Sequence, residues 1–334
     1  MKNATKKVTA AVCAASVALL GACTPTVKVV FDEVKPWHDS AASYERLVFD
    51  TAIYDTADEN SHVTIATGKL TFELTENFET TAEGVPYTKI EMTSTVTYND
   101  SAPEKDRGLT DTISSYVDFQ SSGLAARRSE KNVTLADRAG VENLSYTVTA
   151  DYFGTHTATR KMLASGEEKS LNIEQRGSGY YDNEMLFYLA RATKMGAGSQ
   201  ASFSAVNLFD SFIGKKPKLV NYSFAVNTSK SPSVIVFADD DKNWVKNFGV
   251  EPVTADDGTV TYPVPCYFTS IALSATKAGQ PYVVHFSQNP FKQGEEGSEK
   301  SHGKIPMKIS YSEYTETTRT RFTEYTLTEL SFEK

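Results

Sequence analysis

Residues that could carry catalysis are few and scattered along this chain. Its five histidines are His38, His62, His156, His285 and His302, and no two of them lie within four residues of each other. The paired-histidine spacing of helical metal-hydrolase sites is therefore absent. The chain also lacks G-x-S-x-G and G-x-x-x-x-G-K-[ST], the motifs of the nucleophile elbow and the phosphate loop. We expect no catalytic residue, no metal site and no cofactor.

Two further groups have residue types that suit chemistry but lack the context for it. The run that starts at Asp239 begins like a calcium-binding loop, but its sixth position is Trp244 instead of glycine and its twelfth is Val250 instead of glutamate. We interpret this run as a solvated turn or a helix start. Cys266 lies in a strand-like stretch, and the sequence places no histidine beside it as an activating base. We interpret Cys266 as a buried structural thiol.

The N-terminal residues have the layout of a secretory signal. Lys2, Lys6 and Lys7 form a basic head, and residues 8–20 are an unbroken run of apolar and small residues. Thirteen residues of helix reach only about 20 Å, which is short of the ~30 Å hydrocarbon core of a bilayer. A basic head, a short apolar middle and small residues at the exit favour a cleaved signal over a membrane span.

The residues that close this run, Leu19-Leu20-Gly21-Ala22-Cys23, resemble the lipobox of bacterial lipoproteins. The resemblance implies that the chain is cut before Cys23 and that this cysteine carries diacylglycerol and a further acyl chain of the palmitate type. Residues 1–22 would then be the signal peptide, and residues 23–43 the acylated cysteine and its tether. Two or three acyl chains anchor a protein stably. We therefore expect an extracytoplasmic protein held at the cell membrane or the outer membrane; the alternative is a cysteine beside an ordinary cleavage site.

The charge of the chain excludes some classes of partner. Removing residues 1–22 takes away three of the 34 basic residues and none of the 42 acidic ones, which leaves 31 against 42 and a formal charge of −11. Nucleic-acid binding needs a basic face, and so does adsorption to anionic lipid head groups. We therefore expect no nucleic-acid partner, and contact with the membrane only through the lipid on Cys23.

Period-two patterning predicts strands through most of residues 44–334. In the stretch 87–98, for example, Ile90, Met92 and Val96 share one parity, while the other parity is polar. The parity changes near Gly68, which predicts a bulge or a turn there. We count about a dozen strands and no clear break in composition. We therefore predict one β-rich domain, with a subdivision near 165–180 as the alternative.

One segment, residues 180–195, is patterned as a helix. Asp182 or Asn183 is a suitable N-cap, and Gly196 could end the helix. Its apolar residues at helical spacing are Met185, Leu186 and Leu189. A sheet of this size must curl, close or split to hide its edges. We therefore predict a mainly β fold, a large curved antiparallel sheet forming a half-barrel, with the 182–194 helix in its concavity.

A second resemblance rests on this helix and on three later stretches. Residues 180–184 and 186–191, together with 264–274, 282–288 and 305–309, are similar to an uncharacterised family of bacterial envelope proteins, a domain of unknown function. Those proteins look like the half-barrel lipoprotein carriers and receptors of the envelope. The resemblance implies a curved sheet with a helix in its concavity and an apolar ligand between them. It assigns no catalytic residue.

Three functional hypotheses follow. The first is a lipid-anchored envelope protein without catalysis that binds a lipid or another apolar molecule, with Met185, Leu186 and Leu189 as candidate lining residues. The second is a structural or adhesive surface module without a ligand, in which the helix only fills the sheet. The third and weakest is an envelope hydrolase, which would need Asp, Glu and His side chains clustered in one cleft.

Overall fold

The computed structural model of the protein describes residues 44–55, 63–175, 179–193, 195–196, 198–208, 218–238, 243–273, 282–294, 300–315 and 318–332. Strands dominate this part of the chain, and 17 of them belong to one sheet. The sheet is mainly antiparallel and is not closed into a barrel. The prediction of a mainly β fold, with a large curved sheet and one helix in its concavity, is confirmed.

The first eight strands form an antiparallel meander, in which each strand pairs with the next along the chain. They are β1 (Tyr44–Asp55), β2 (Val63–Thr80), β3 (Pro86–Tyr98), β4 (Thr110–Gln120), β5 (Ala126–Thr134), β6 (Tyr146–Asp151), β7 (Thr157–Met162) and β8 (Glu168–Asn172). Alternation decides which face is buried. Leu74 and Ile90 face each other across β2 and β3 and are both buried, whereas the next pair, Glu73 and Glu91, is half-buried.

The chain then forms the short strand β9 (Tyr181–Asp182), a 3-10 turn (Asn183–Met185) and the helix α1 (Leu186–Ala192). The later strands of the large sheet are β10 (Gln200–Asn207), β11 (Lys218–Val226), β12 (Ser233–Ala238), β13 (Val253–Thr254), β14 (Val260–Leu273), β15 (Tyr282–Ser287), β18 (Pro306–Thr315) and β19 (Thr318–Ser331). A separate hairpin pairs β16 (Phe291–Gln293) with β17 (Lys300–His302), and a second 3-10 segment spans Asn243–Phe248.

The last strand joins the two halves of the sheet, because β19 pairs with β18 on one side and with β1 on the other. The pairings give the spatial order β9, β10, β11, β14, β15, β18, β19, β1 and then β2 to β8. β12 and β13 pair with other parts of β14. Among the described strands, β9 and β10 make the one parallel pair.

α1 is held by packing, because seven residues are too few for a helix that is stable by itself in water. Six of these seven residues are buried, and so is the residue before them, Met185. The ring of Tyr188 meets that of Phe119 on β4 edge-on at 4.8 Å, and the ring of Phe187 meets that of Tyr282 on β15 at 5.5 Å. The helix thus bridges strands from both halves of the sheet.

The ends of the helix differ from the prediction of 182–194. Asp182 is the N-cap, as one of the two predicted candidates, but it caps a 3-10 turn that leads into α1. α1 ends at Ala192, because Thr193 is extended and its side-chain hydroxyl donates a hydrogen bond to the carbonyl of Ala190. Gly196 therefore lies beyond the end and does not cap it.

Two further expectations about the strands need correction. The described residues hold 19 strands against about a dozen predicted, because strands as short as β9 and β13 show no alternation. The parity change comes from a register shift against β1 at Ile65, not from a bulge at Gly68. Position 68 requires glycine for a separate reason. A Cβ atom there would lie 1.9 Å from the carbonyl oxygen of Thr95 on β3.

Candidate ligand-binding cleft

A cleft of about 400 Å³ lies on the concave face beside the start of α1. Strands β2 to β5 contribute one wall, and β11, β14, β15, β18 and β19 contribute the other. Its apolar lining side chains are Leu70, Met92, Ile113, Leu186, Phe187, Ile271 and Ile309. We refer to this space as the concave cleft. Its volume lies within the range of ~300–1,000 Å³ that small-molecule sites occupy.

Tyrosines form the second component of the lining. Tyr282, Tyr311 and Tyr325 stand in a row on adjacent strands, with ring centroids 5.2 Å and 6.3 Å apart. Burial, and then the neighbouring Tyr311, raise the pKa of Tyr282 to about 12. Burial also raises the pKa of Tyr325 well above its ordinary value. The hydroxyls of Tyr282 and Tyr325 are therefore uncharged at neutral pH and present hydrogen-bonding groups next to the apolar side chains of the lining.

Asp182 fixes the polar end of the concave cleft. It is fully buried, and its Oδ1 accepts a hydrogen bond from the backbone N–H of Glu184 at 2.9 Å. Its Oδ2 accepts from the Ser129 hydroxyl at 2.6 Å and from the Tyr152 hydroxyl at 2.7 Å. Burial, and then the nearby Glu184, raise the pKa of Asp182. These three hydrogen bonds tie the start of the helical segment to β5 and to Tyr152.

Lys131 and Glu184 form an ion pair at this end. The ammonium of Lys131 on β5 lies 3.0 Å from Glu184 Oε1, which also accepts a hydrogen bond from Asn183 Nδ2 at 2.9 Å. The side chains are 32% and 10% exposed, respectively. Burial would lower the pKa of Lys131, but the charge of Glu184 and its hydrogen bond outweigh that effect and the pKa is raised. Within the described residues, no group donates a hydrogen bond to Glu184 Oε2.

A second cavity of about 240 Å³ adjoins the concave cleft at the same place. The two spaces share the lining residues Lys131, Asn183, Glu184 and Asn207. The ion pair therefore faces open space from two directions. This arrangement can hold a molecule with an apolar part between α1 and the sheet and a polar part at Lys131 and Glu184.

A second ion pair lies at the opposite end of α1 and is closed off. Arg191 Nη1 and Nη2 donate to the two carboxylate oxygens of Glu45 on β1, at 2.5 Å and 3.0 Å. The side chains of Arg191 and Glu45 are only 3% and 2% exposed. Arg191 Nη2 also donates to the carbonyl of Gly303 at 3.3 Å. This pair fastens the end of the helix to the central strand of the sheet.

The structure separates the three lining residues proposed from the sequence. Leu186 lines the concave cleft, whereas Met185 and Leu189 are fully buried in the core and do not line it. Cys23 lies outside the described residues. The sequence did not lead us to predict Lys131 and Glu184 as lining residues, although the position of Lys131 in its strand indicates that it points inward. It shares the inward parity of Ser129 and Val133 on β5, so a charge there points into the concavity.

Other reactive groups do not converge on this cleft. Among the described residues, no three His, Cys, Asp or Glu side chains come close enough to hold a metal ion. Cys266 is fully buried, and burial raises its pKa to about 12, so the thiol is not ionised at neutral pH. Ser233 Oγ lies 2.8 Å from His285 Nδ1, but the next neighbours of this imidazole are Phe268 and Lys308, not a carboxylate.

The described part of the chain has no helix that is both long and apolar enough to cross a membrane. The residues of the predicted signal and tether, 1–43, lie outside the described residues.

Comparison with known proteins adds little. No protein-family model matches the chain. No curated protein matches it either. Among solved structures, a DUF1329 family protein from Desulfovibrio piger is similar at 8% sequence identity and a TM-score of 0.21, over 87% of this chain and 86% of that one. That family is itself named only as a domain of unknown function, and a TM-score this low supports no inference about the fold or the activity of the present chain.

Proposed function

We propose that the protein is a lipid-anchored envelope protein that binds an apolar or amphiphilic small molecule in the concave cleft. The observation that carries this proposal is that the described residues combine an apolar wall, a row of tyrosines and one ion pair around a space of about 400 Å³. Ligand sites in proteins are mostly apolar, with a few polar groups that set the orientation of the ligand. A helix that only filled the sheet would leave no such space.

Native mass spectrometry of the protein after gentle extraction tests the ligand. We expect the wild-type chain to carry a bound molecule of small mass. Ile113 on β4 lines the concave cleft and is 40% exposed, so the Ile113→Trp variant should fill part of the space without loss of the fold. We expect the bound mass to be lost in this variant.

Val236→Trp is the matched control. Val236 on β12 is 59% exposed and does not line the concave cleft, so the same ring is added at a surface position. The control should keep the bound mass of the wild type. A wild-type protein that emerges empty under conditions that preserve its fold would remove the binding part of the proposal.

The anchor is tested separately with Cys23→Ser. Without the thiol, no diacylglycerol can be attached, and the peptidase that recognises the acylated cysteine should leave residues 1–22 in place. We expect an uncut chain without lipid, measured by intact mass and by the N-terminal sequence. Normal processing of this variant, or a wild-type chain found inside the cell with residues 1–22 attached, would contradict the anchor.

The two other hypotheses have less support. Exposed valines at positions 234, 236 and 253 form an apolar patch on the outer face of β12 to β14, as an adhesive module would need. The patch is aliphatic instead of aromatic, and nothing in the structure indicates what would cover it. A hydrolase is supported by Ser233 and His285 alone. We propose no reaction for this pair, because no carboxylate in the described part of the chain orients the imidazole.

A further inference from the structure

We infer that the concave cleft selects an amphiphile with an uncharged, hydroxyl-bearing head group over one with an anionic head group. The inference rests on the proposed binding function and adds the chemical class of the ligand. It depends on Lys131 and Glu184, two of the residues that the concave cleft shares with the adjoining cavity, and on the hydrogen bonds that these two side chains can still make.

The charge that the described residues place at the polar end sums to zero. Among them, Lys131 and Glu184 are the charged side chains that line the concave cleft, and they neutralise each other at 3.0 Å. Glu130 lines the adjoining cavity, but neighbouring residues of a strand point to opposite faces, and its carboxylate accepts a hydrogen bond from Asn132 on the other face. An anionic head group at this place would approach Glu184 without a spare positive charge.

The hydrogen bonds that Lys131 and Glu184 can still make favour a ligand head group with hydroxyls. Glu184 Oε2 accepts no hydrogen bond within the described residues, although its side chain is nine-tenths buried. It borders the open space of the two cavities, so a ligand that displaces water there must supply a donor in its place. Within the same described residues, Lys131 donates to Glu184 with one of its three N–H groups, which leaves two for water or for an acceptor on the ligand. A hydroxyl both donates and accepts, whereas a carboxylate only accepts and would leave Glu184 Oε2 unsatisfied.

Glycerol and sugar head groups share this chemistry. Adjacent hydroxyls on either one can donate to Glu184 while accepting from Lys131. The tyrosine row and the leucine, isoleucine and phenylalanine side chains of the concave cleft then surround the alkyl chain. A zwitterionic head group would bring two more charges into a half-buried place and would have to be desolvated there, which is costly.

Four probes with the same eight-carbon tail separate these possibilities. 1-Octanol tests the apolar site alone, octanoate adds a negative charge, and monooctanoylglycerol and octyl glucoside supply the two hydroxylated heads. We propose titrations of the full lipid-anchored protein in phosphatidylcholine nanodiscs, with empty nanodiscs subtracted. We expect at least one hydroxylated probe to bind about tenfold more tightly than octanoate, the change that one well-placed hydrogen bond to a charged group can supply.

Glu184→Gln tests the cause. The variant keeps the shape of the side chain but frees the positive charge of Lys131, so octanoate should bind about tenfold more tightly and the hydroxylated probe more weakly. Glu167→Gln is the matched control. Glu167 makes an exposed ion pair with Lys169 at 2.9 Å, and its replacement changes the net charge equally without touching the concave cleft.

The outcomes distinguish the two proposals. If none of the four probes binds, the proposed function fails, and the inference about the head group fails with it. If octanol binds but octanoate binds as tightly as the hydroxylated probes, the function stands and the inference is overturned. An effect of Glu184→Gln no larger than that of Glu167→Gln would also overturn the inference.

Discussion

The two ends of the helical segment carry the same kind of ion pair in different surroundings. At the end of α1, Arg191 and Glu45 are almost completely buried and meet through two hydrogen bonds. At the start, Lys131 and Glu184 meet through one hydrogen bond, and the lysine is 32% exposed toward open space. The first pair is enclosed by the protein, whereas the second borders the concave cleft and the adjoining cavity.

This difference assigns the two ends different roles. A buried pair with good geometry fixes a position, because breaking it leaves a charge without a partner in the interior. A pair that borders open space can exchange partners with water or with a ligand, so losing one partner costs less there. The end of α1 is therefore fixed to the sheet by the Arg191–Glu45 pair. The start of the helical segment borders open space, where the concave cleft and the adjoining cavity meet.

The largest expected effect is that of Arg191→Met. Removing the guanidinium leaves the carboxylate of Glu45 buried without its partner, and we expect the free energy of unfolding to fall by about 3–5 kcal/mol. Urea denaturation followed by far-ultraviolet circular dichroism measures it. Lys131→Met, the same change at the open end, is the control and should cost only about 1–2 kcal/mol, because Glu184 keeps the hydrogen bond from Asn183 and borders open space.

A second variant checks the cause. Replacing both partners, Glu45→Leu with Arg191→Met, should recover much of the loss, because no isolated charge remains in the interior. If Arg191→Met and Lys131→Met lower the free energy of unfolding by the same amount, the two ion pairs do not differ in their contribution to stability and the comparison is wrong.

The sequence predicted the framework of the molecule but not these pairs. Alternation identified the long strands, and Asp182 with Leu186 and Leu189 identified the helix, because these signals are local in the chain. The Glu45–Arg191 pair joins residues 146 positions apart, and the Lys131–Glu184 pair joins residues 53 positions apart. No spacing rule reaches over such distances without the order of the strands.

A signal for both pairs was nevertheless present. Glu45 shares the inward parity of Leu47, just as Lys131 shares that of Val133, so each charge breaks an apolar pattern. A charge on the buried face of a strand requires a partner. The separation of Leu186 from Met185 and Leu189 could not be predicted, because it depends on where a helix shorter than expected meets the sheet.

A smaller loss is expected from Asp182→Ala, which loosens the start of the helical segment without touching its end. The change removes the N-cap and leaves the hydroxyls of Ser129 and Tyr152 without their acceptor. We expect a loss of about 2–4 kcal/mol in the free energy of unfolding. The Phe119–Tyr188 contact lies further along, so near-ultraviolet circular dichroism should retain its aromatic signal. Loss of that signal would mean that the cap holds the whole helix.

The pH dependence of Asp182→Asn gives a sharper test of the same end. The pKa of Asp182 is raised in the folded protein, so the carboxyl stabilises the fold below its unfolded value of about 3.8 and this contribution is lost as the pH rises through the folded pKa. The advantage of the wild type over the asparagine variant should therefore shrink as the pH rises from about 4. Denaturation at a series of pH values measures the difference.

Asp151→Asn is the control of opposite sign. Burial raises the pKa of Asp151, but hydrogen bonds from the backbone N–H groups of Thr155, Gly154 and Phe153 outweigh it and the net pKa is lowered. Its stabilising contribution is present above the unfolded value and is lost as the pH falls through the folded pKa. The advantage of the wild type should here grow with rising pH. If the advantage of the wild type changed with pH in the same direction for both variants, the two opposite pKa shifts would be refuted.

The smallest effect belongs to the open end, where Lys131→Met should lower the free energy of unfolding of the free protein by only about 1–2 kcal/mol. Ligand makes the difference visible, because a probe at one hundred times its dissociation constant stabilises the folded state by about 2.7 kcal/mol. Lys131→Met should unfold at a somewhat lower urea concentration than the wild type without monooctanoylglycerol, and only the wild type should gain the full shift when it is added. Arg191→Met should show the reverse, a large loss without ligand and a shift on addition close to that of the wild type, since its pair does not line the cleft. If ligand instead stabilises Lys131→Met as much as the wild type, the lysine takes no part in binding and the two ends differ only in exposure.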